Sequence, residues 1–332
     1  MIARKLDTQQ EDRLKKFILA AALACLSLLA NAQIIREATH LRPTGKGWAA
    51  ESAPDPEQRW FFGRPRVNLA NNGIYYHGGP VMGGKVNLYF IWYGNFVNGG
   101  AASDSLTTQA LLEDLFGAGG LGGSPYARIN TTYSDRTHIV TGNFALKESA
   151  NDYYSRGKNL NDASITYIVA SAINSRVLPR DTNGVYFVLT SSDVSESSGF
   201  CSRYCGWHNH AAIGGSDIKI AFVGNPDRCP NACEEQTISP NFDSGADGMA
   251  SVMAHEVVES TNDFGLNAWY DTSGNESADK CAWKWGPVIG RLGYGAYNMT
   301  VAGHHWLIPM NWENAGGGGG CVQRLGGKFY NQ

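Results

Sequence analysis

The chain has 332 residues, of which 43% are hydrophobic and 17% charged, and its formal net charge is −3. This composition is typical of a folded protein with a sizeable core and excludes an intrinsically disordered chain. Because the charge is slightly negative and no basic stripe is present, we expect no nucleic acid as a partner. The sequence predicts no particular oligomeric state.

The N-terminal sequence predicts export. Basic residues within 13–16 precede the apolar run 17–29, and a small-x-small sequence ends at Ala32. This order is typical of a secretory signal peptide, so we expect residues 1–32 to be removed. A lipoprotein signal that ends at Cys25 is the alternative. The apolar run is too short for a permanent membrane span, and no later segment resembles one.

Residues 33–75 are polar, contain four prolines and show no periodic pattern, so we expect an irregular segment. A single domain is expected over 76–332. Within it, the apolar spacing of 105–116 predicts a helix. Short apolar runs, which suit central strands covered on both faces, predict strands elsewhere in the domain. These runs are 86–92, 139–144, 165–170, 185–190 and 218–223.

The segment 243–265 has the clearest chemical content. Its apolar residues recur at helical spacing, and its more polar face is expected to line a cleft. His255 and Glu259, four residues apart, share that face and can bind one metal ion. Glu256 is rotated by about 100° and can act as general base on a metal-bound water. This is the H-E-x-x-H pattern of zinc peptidases, with glutamate replacing the second histidine.

A catalytic zinc ion normally has three protein ligands and one open position, so a third ligand is needed. Asp279, two residues before Cys281, is the preferred candidate. Glu276 is the close alternative, and whichever acid is not the ligand could be a partner of His255. One histidine with two carboxylates is a hard ligand set, so the cofactor is a divalent metal, first zinc, with calcium or manganese possible. The alternative is that the pattern is structural, since helices often carry glutamate for solubility.

Removal of the signal peptide leaves six cysteines, which in an exported chain imply up to three disulfides. The spacing favours the pairs Cys201–Cys205, Cys229–Cys233 and Cys281–Cys321. A zinc site with four thiolates from the two C-x3-C pairs is an alternative that an oxidising compartment disfavours. His208 follows the first pair, so a disulfide-constrained loop could place it at the cleft.

Several ordered motifs lie between about residues 77 and 323. They include H-G-G-P at 77–80, V-N-L-Y-F-I-W at 86–92, the F-C-x3-C-G-x-H loop at 200–208, and A-D-x-C at 278–281. In this order they resemble the exordium family, also called the phosphate-induced protein family. The resemblance implies a secreted protein, in plants of the apoplast and cell wall and associated with growth. If the source is bacterial, it implies the periplasm or the cell exterior, and it implies no particular activity.

The segment from His255 to Cys281 is also similar to zincin-like peptidases that carry H-E-x-x-E and a downstream acidic-cysteine motif. We therefore expect an α+β, zincin-like fold with a mixed β-sheet, an active-site helix and a coil-rich C-terminal part braced by disulfides. The leading function is a secreted metal-dependent peptidase that acts on peptides, with weak or specialised activity because the extra anionic ligand reduces the Lewis acidity of the metal. The alternatives are a non-catalytic exordium-type protein of the cell wall and a module that binds cell-wall polymers. The last would stack sugar rings on Trp92, Tyr93, Trp207, Trp269, Trp283 and Trp285.

Overall fold

The computed structural model describes residues 73–97, 101–236, 238–291, 294–315 and 318–330. The predicted signal peptide and nearly all of the predicted irregular segment lie outside these residues. The α-helices are α1 (Leu106–Phe116), α2 (Asp162–Asn174), α3 (Pro230–Cys233) and α4 (Ser244–Asp263). Short 3-10 helices lie at Ala127–Thr132, Pro226–Arg228 and Asp279–Cys281.

The strands of the first part of the fold are β1 (Tyr75–Tyr76), β2 (Val86–Tyr93), β3 (Phe144–Asp152), β4 (Asn159–Leu160), β5 (Gly184–Thr190), β6 (Ser195–Glu196), β7 (Gly206–Ile213) and β8 (Ser216–Gly224). Those of the C-terminal part are β9 (Trp269–Tyr270), β10 (Ile289–Arg291), β11 (Gly295–Tyr297), β12 (Met299–Val301), β13 (His304–Trp306), β14 (Asn311–Glu313) and β15 (Gly320–Val322).

The core is built on a mixed sheet with the strand order β3-β2-β5-β8-β7. Strands β3, β2, β5 and β8 are parallel, whereas β7 is an antiparallel edge strand paired with β8. β5 is buried along its whole length, and β2 and β8 are buried along most of theirs, as expected for central strands covered on both faces. The predicted strands at 86–92, 185–190 and 218–223 are confirmed, as is the α+β class.

The prediction of a strand at 165–170 is wrong, because this segment lies inside α2. Asn161 caps the helix by accepting a hydrogen bond from the backbone N–H of Ser164. The buried residues of α2 recur at helical spacing, and the helix contacts β5 and β8. A short run rich in Ile and Val does not distinguish a strand from one face of a helix.

The strand predicted at 139–144 is also wrong, since β3 begins only at Phe144. Gly142 has a φ of +65°, which interrupts extended backbone before the strand starts. Ile139 forms only an isolated bridge, with Ser134. β3 is the other edge of the sheet, and most of its residues after Ala145 are partly or fully exposed, so its sequence lacks the apolar run of a central strand.

Two of the predicted disulfide pairings are wrong. The described residues contain Cys201–Cys229, Cys205–Cys233 and Cys281–Cys321, with Cα–Cα distances of 5.7, 5.6 and 5.6 Å. Cys229 is the N-cap of the single-turn helix α3 and Cys233 is its last residue, and each pairs with a cysteine of the 201–205 segment. The first two disulfides thus form parallel links between two C-x3-C segments, and their sulfurs do not form a thiolate zinc site. The third pairing is confirmed.

The C-terminal part, from β9 onward, consists of short two-stranded ladders joined by coil. β14 pairs with β15, and the disulfide Cys281–Cys321 joins β15 to the 3-10 helix at Asp279–Cys281. A coil-rich, disulfide-braced C-terminal part is therefore confirmed. It packs against α4 through β9 and β13, which places the loop that carries Asp279 beside the helix.

Candidate metal centre

Helix α4 is buried from Gly245 to its last residue, Asp263. It begins after the N-cap Asp243, whose side chain accepts a hydrogen bond from the N–H of Ala246, so the predicted start is confirmed. The helix contacts β7 and β8 of the sheet on one side and elements of the C-terminal part on another. Ser251 donates to the carbonyl of Leu307 at 2.7 Å, which is one of these contacts. The polar face therefore lines no exposed cleft, contrary to the sequence prediction.

His255, Glu259 and Asp279 lie together at the interface between α4 and the C-terminal part. His255 Nε2 is 2.9 Å from Glu259 Oε2 and 3.4 Å from Asp279 Oδ1. One ligand atom from each of the three residues lies within 4.8 Å of the others. The side chains of His255 and Glu259 are 0% exposed and that of Asp279 is 10% exposed. These are the three residues that the sequence predicts as metal ligands.

The Asp279 loop is held in place by the carboxylate of Glu259. Glu259 Oε1 accepts hydrogen bonds from the backbone N–H groups of Ala278 and Asp279, each at 2.9 Å. Asn262, one turn further along α4, donates to Ser277 Oγ at 2.8 Å. One oxygen of Glu259 therefore docks the loop, and its other oxygen faces His255.

His208 lies on the sheet side of Glu259, whereas Asp279 lies on the side of the C-terminal part. His208 belongs to β7 and not to a loop at a cleft, and its side chain is 0% exposed, so that prediction is wrong. Its Nδ1 is 3.1 Å from Glu256 Oε2 and 3.9 Å from Glu259 Oε2. Its Nε2 is 3.4 Å from Glu276 Oε1. Glu276 thus lies beside His208, and His208, Glu256 and Glu259 form a second group of converging ligand atoms.

A glycine lets β7 and α4 approach closely enough to form this second group. A Cβ at Gly206 would lie 2.5 Å from Val252 Cγ1 and 3.2 Å from Glu256 Oε1. The first distance is shorter than real Cβ contacts, so any larger residue would push the strand away from the helix. Because Gly206 precedes His208 by only two residues, the close approach of β7 to α4 at Gly206 also sets the position of the His208 imidazole in the cluster. The F-C-x3-C-G-x-H motif at 200–208 includes the first residues of β7 but was interpreted as a loop, although Gly214-Gly215 between β7 and β8 is a hairpin signal.

Several buried polar atoms of this centre have no hydrogen-bond partner. They include both ring nitrogens of His255, Nε2 of His208, one oxygen each of Glu256 and Glu259, and both carboxylate oxygens of Glu276. His255 Nε2 and Glu259 Oε2 are 2.9 Å apart, which is an ion-pair distance, but they lack hydrogen-bond geometry. Unpaired buried polar atoms are rare because each costs about 1–3 kcal/mol. The donors concentrated around the two imidazoles have the chemistry that suits a cation.

The electrostatics of the cluster agree with this interpretation. Burial would lower the pKa of His255, but the negative charges of Glu259, Asp279 and Glu256 outweigh burial and raise the pKa well above its ordinary value. Burial raises the pKa of Glu256 and, more strongly, that of Glu276. Burial thus makes these two carboxyl groups harder to ionise than they would be in water. A nearby cation would reduce that cost.

Most of the aromatic residues proposed to stack on sugars belong to the core. Trp92, Tyr93, Trp207 and Trp285 are buried, whereas Trp269 and Trp283 are partly exposed. Buried rings cannot stack on a polymer in solvent, so the prediction is wrong for the first four residues.

None of the helices in the described part of the chain has the length and apolar character that crossing a membrane requires.

Comparison with known proteins identifies the family. A family model described as the phosphate-induced protein 1 conserved region matches residues 74–315. The chain is 31% identical over 262 residues to Protein EXORDIUM-like 3 of Arabidopsis thaliana, over 70% of this chain and 74% of that protein. It is 30% identical over 256 residues to Protein EXORDIUM of the same plant, over 68% of this chain and 75% of that protein.

Protein PHOSPHATE-INDUCED 1 of Nicotiana tabacum is 27% identical over 245 residues, over 64% of this chain and 72% of that protein. No solved structure matches the chain, so the zincin-like part of the predicted fold stays a prediction. The disulfides and the plant relatives are consistent with an exported protein. The match to the family model and to these relatives shows that the chain belongs to the phosphate-induced protein 1, or EXORDIUM, family.

Proposed function

We propose that the protein is an exported, non-catalytic member of its family in which a buried divalent cation joins α4 to the C-terminal part. His255, Glu259 and Asp279 would bind the ion, with zinc as the first candidate and calcium or manganese as alternatives. The observation that carries the proposal is the set of unpaired buried atoms on these side chains, above all both nitrogens of His255 and Oε2 of Glu259.

The spacing of the three ligand atoms supports the proposal. Ligand atoms bound at about 2.0–2.1 Å to a tetrahedral ion are about 3.3 Å apart. The distances from His255 Nε2 to Glu259 Oε2 and Asp279 Oδ1 are 2.9 and 3.4 Å. An imidazole with two carboxylates suits zinc and tolerates harder ions, so metal identity depends on supply as well as on geometry.

Burial favours a structural ion over a catalytic one. A catalytic zinc site keeps a position open to water and substrate, whereas a structural site is closed. His255, Glu256 and Glu259 are 1%, 0% and 0% exposed. The loop that carries Asp279 is fixed by two hydrogen bonds to Glu259 and by the nearby disulfide of Cys281. The ion would then stabilise the fold by holding two parts of the chain that are distant in sequence.

A metal-dependent peptidase is the second candidate, and one observation favours it. Glu256 follows the ligand His255, one of its carboxylate oxygens has no hydrogen-bond partner, and burial raises its pKa toward the range of a general base. This function would require the C-terminal cover to open, because peptide cannot reach Glu256 when the site is closed.

Binding of a cell-wall polymer is the weakest candidate. Within the proposed aromatic set, only Trp269 and Trp283 are exposed enough to contact a polymer, and Trp269 already donates to the carbonyl of Ser134 at 2.8 Å. A pull-down with insoluble glucan or peptidoglycan, repeated on Trp283→Ala, tests this candidate directly.

Metal analysis of the purified protein, combined with a peptidase assay, tests the first two candidates. We expect wild-type protein and Glu256→Gln to contain a divalent metal bound to the His255 group, and His255→Ala to lose it. His210→Ala is the matched control, since His210 is two residues from His208 on β7 and pairs with the exposed Asp217 at 2.6 Å. Hydrolysis in the wild type that disappears in Glu256→Gln would replace the structural proposal with the peptidase. Wild-type protein without metal would overturn both.

A further inference from the structure

We infer that the centre binds a second divalent cation between His208 and Glu256, with Glu259 shared between the two ions. This inference rests on the proposed function, because it extends the same buried cluster from one ion to two. The second group lies on the sheet side of Glu259, and the first lies on the side of the C-terminal part. Both groups contain a histidine and a second carboxylate in addition to Glu259.

The distances in the second group are those of metal ligands. His208 Nδ1 is 3.1 Å from Glu256 Oε2 and 3.9 Å from Glu259 Oε2. These values are close to the separation of about 3.3 Å between ligands of a tetrahedral ion, and the longer one suits a larger ion. Glu259 Oε2 faces both histidines, at 2.9 Å from His255 Nε2 and 3.9 Å from His208 Nδ1. It is thus the atom best placed to contact both ions.

Glu276 acts as a positioning residue for His208. Its Oε1 is 3.4 Å from His208 Nε2, the ring nitrogen that does not face Glu256. A metal-bound histidine commonly donates its other N–H to a carboxylate, which fixes the tautomer and leaves the first nitrogen free to bind metal. His208 is flanked in this way, with Glu276 on one side and the two potential ligands on the other. The arrangement assigns Nδ1 as the ligand atom.

The number of carboxylates also suits two cations. Glu256, Glu259, Glu276 and Asp279 each lie 3.4 Å or less from a ring nitrogen of His208 or His255. Two divalent ions match the charge of four carboxylates.

An unpaired atom on this side of Glu259 points to a ligand independently of the first group. Glu256 belongs to the second group, its Oε1 has no hydrogen-bond partner, and its side chain is fully buried. A single ion in the His255 group would not satisfy this oxygen. The second ion also changes the role of Glu256, which becomes a ligand and is no longer free to act as a base.

The number of bound ions tests the inference. Purified protein is loaded with Zn²⁺, freed of unbound metal by gel filtration and analysed by elemental mass spectrometry against amino-acid analysis. We expect two zinc ions per chain in the wild type and in the control His210→Ala, and one in His208→Ala. Glu276→Gln should keep the first ion and weaken the second by about 10–100-fold, as for other partners of metal-bound histidines.

The outcomes separate this inference from the proposed function. One ion per chain in both wild type and His208→Ala overturns the second site and leaves the first intact. No ion in the wild type overturns both. If His208→Ala does not fold, wild-type protein loaded with Mn²⁺ gives the answer by electron paramagnetic resonance. Two ions that share a carboxylate at about 3.5–4 Å give an exchange-coupled spectrum, and an isolated six-line spectrum contradicts the proposal.

Discussion

Both halves of helix α4 bury acidic side chains, but the partners of the carboxylate oxygens differ between the two halves. Near its start, Asp243 accepts hydrogen bonds from Thr108 and from the N–H of Ala246. Asp247 accepts from Ser239 and, at 2.6 Å, from Asn241. In the second half, Glu256 and Glu259 each keep an oxygen without a hydrogen-bond partner and face imidazoles.

The difference separates an acidic cluster held by hydrogen bonds from the proposed metal centre. Near the start of α4, burial raises the pKa of Asp247 to about 7 and that of Glu234, which precedes the helix, to about 8. Hydroxyl and amide groups donate hydrogen bonds to Asp243 and Asp247. The second half of the helix places its carboxylates beside the imidazoles of His255 and His208, and such a donor set suits cations. Buried carboxylates alone therefore do not indicate a metal site, and the proposal depends on the imidazoles beside them.

The largest effect is expected from Glu259→Gln. The amide oxygen can still accept from the N–H groups of Ala278 and Asp279, so the change removes mainly the charge. We expect loss of bound metal and destabilisation by about 3–5 kcal/mol, the usual cost of breaking a buried ion pair. Urea denaturation with metal analysis measures both effects. Asp247→Asn is the control in the other half of the helix, and metal content reduced equally in both variants would contradict the comparison.

Removal of the Cys281–Cys321 disulfide should have the next largest effect. The double variant Cys281→Ser, Cys321→Ser is expected to lose about 2–4 kcal/mol of stability and to bind metal more weakly, because this disulfide braces the Asp279 loop. Removal of Cys201–Cys229, which lies outside the centre, should reduce stability without changing metal affinity. Competition with a fluorescent zinc chelator measures the affinity. Equal metal affinity in the two double variants would show that metal binding does not depend on the Cys281–Cys321 disulfide.

Removal of the metal should lower the thermal stability of the wild type. Free metal at 100 times its dissociation constant stabilises a folded protein by about 2.7 kcal/mol, so a chelator should reverse a shift of that size. Calorimetry with and without EDTA measures it. The shift should persist in Asp247→Asn and become smaller in His255→Ala, which loses the first ion and keeps the residues of the second. An unchanged shift in His255→Ala would indicate that the stabilising ion lies elsewhere.

The smallest predicted effect is the pH dependence of the buried acidic residues near the start of α4. The folded-state pKa values of Asp247, about 7, and Glu234, about 8, lie above those of unfolded carboxyl groups. Their contribution to stability is therefore fully present below about pH 4 and is lost as the pH rises through about 7 to 8. We expect the melting temperature to fall between pH 5 and pH 8, and to fall less in Asp247→Asn. An identical slope in the two proteins would show that Asp247 does not titrate in this range.

Local chemistry in the sequence predicted α4 and the grouping of His255 with Asp279. The capping residue Asp243, the helical spacing and the proximity of Asp279 to a cysteine are all local signals, and each corresponds to a feature of the structure. For α2, the same kind of signal was present in Asn161, which caps the helix, but the β-branched run dominated the prediction. Local patterns thus predict helix ends better than they separate short helices from strands.

The role of His208 depends on contacts that no local pattern contains. It reaches Glu256 across 48 residues of sequence because β7 pairs antiparallel with β8 and Gly206 permits close packing on α4. Two of the disulfide predictions were wrong for a related reason, since Cys229 and Cys233 both pair with a segment 28 residues earlier in the sequence. Residue contacts that depend on sheet pairing and helix packing are determined by the whole fold and not by local sequence.

Anomalous diffraction from crystals of the purified protein, with data collected on both sides of the zinc absorption edge, tests the central claim most directly. Our account predicts an anomalous peak between His255 Nε2, Glu259 Oε2 and Asp279 Oδ1, and a second peak beside His208 Nδ1. If zinc-loaded crystals show no anomalous signal and His255 instead forms direct hydrogen bonds to the two carboxylates, the metal centre does not exist.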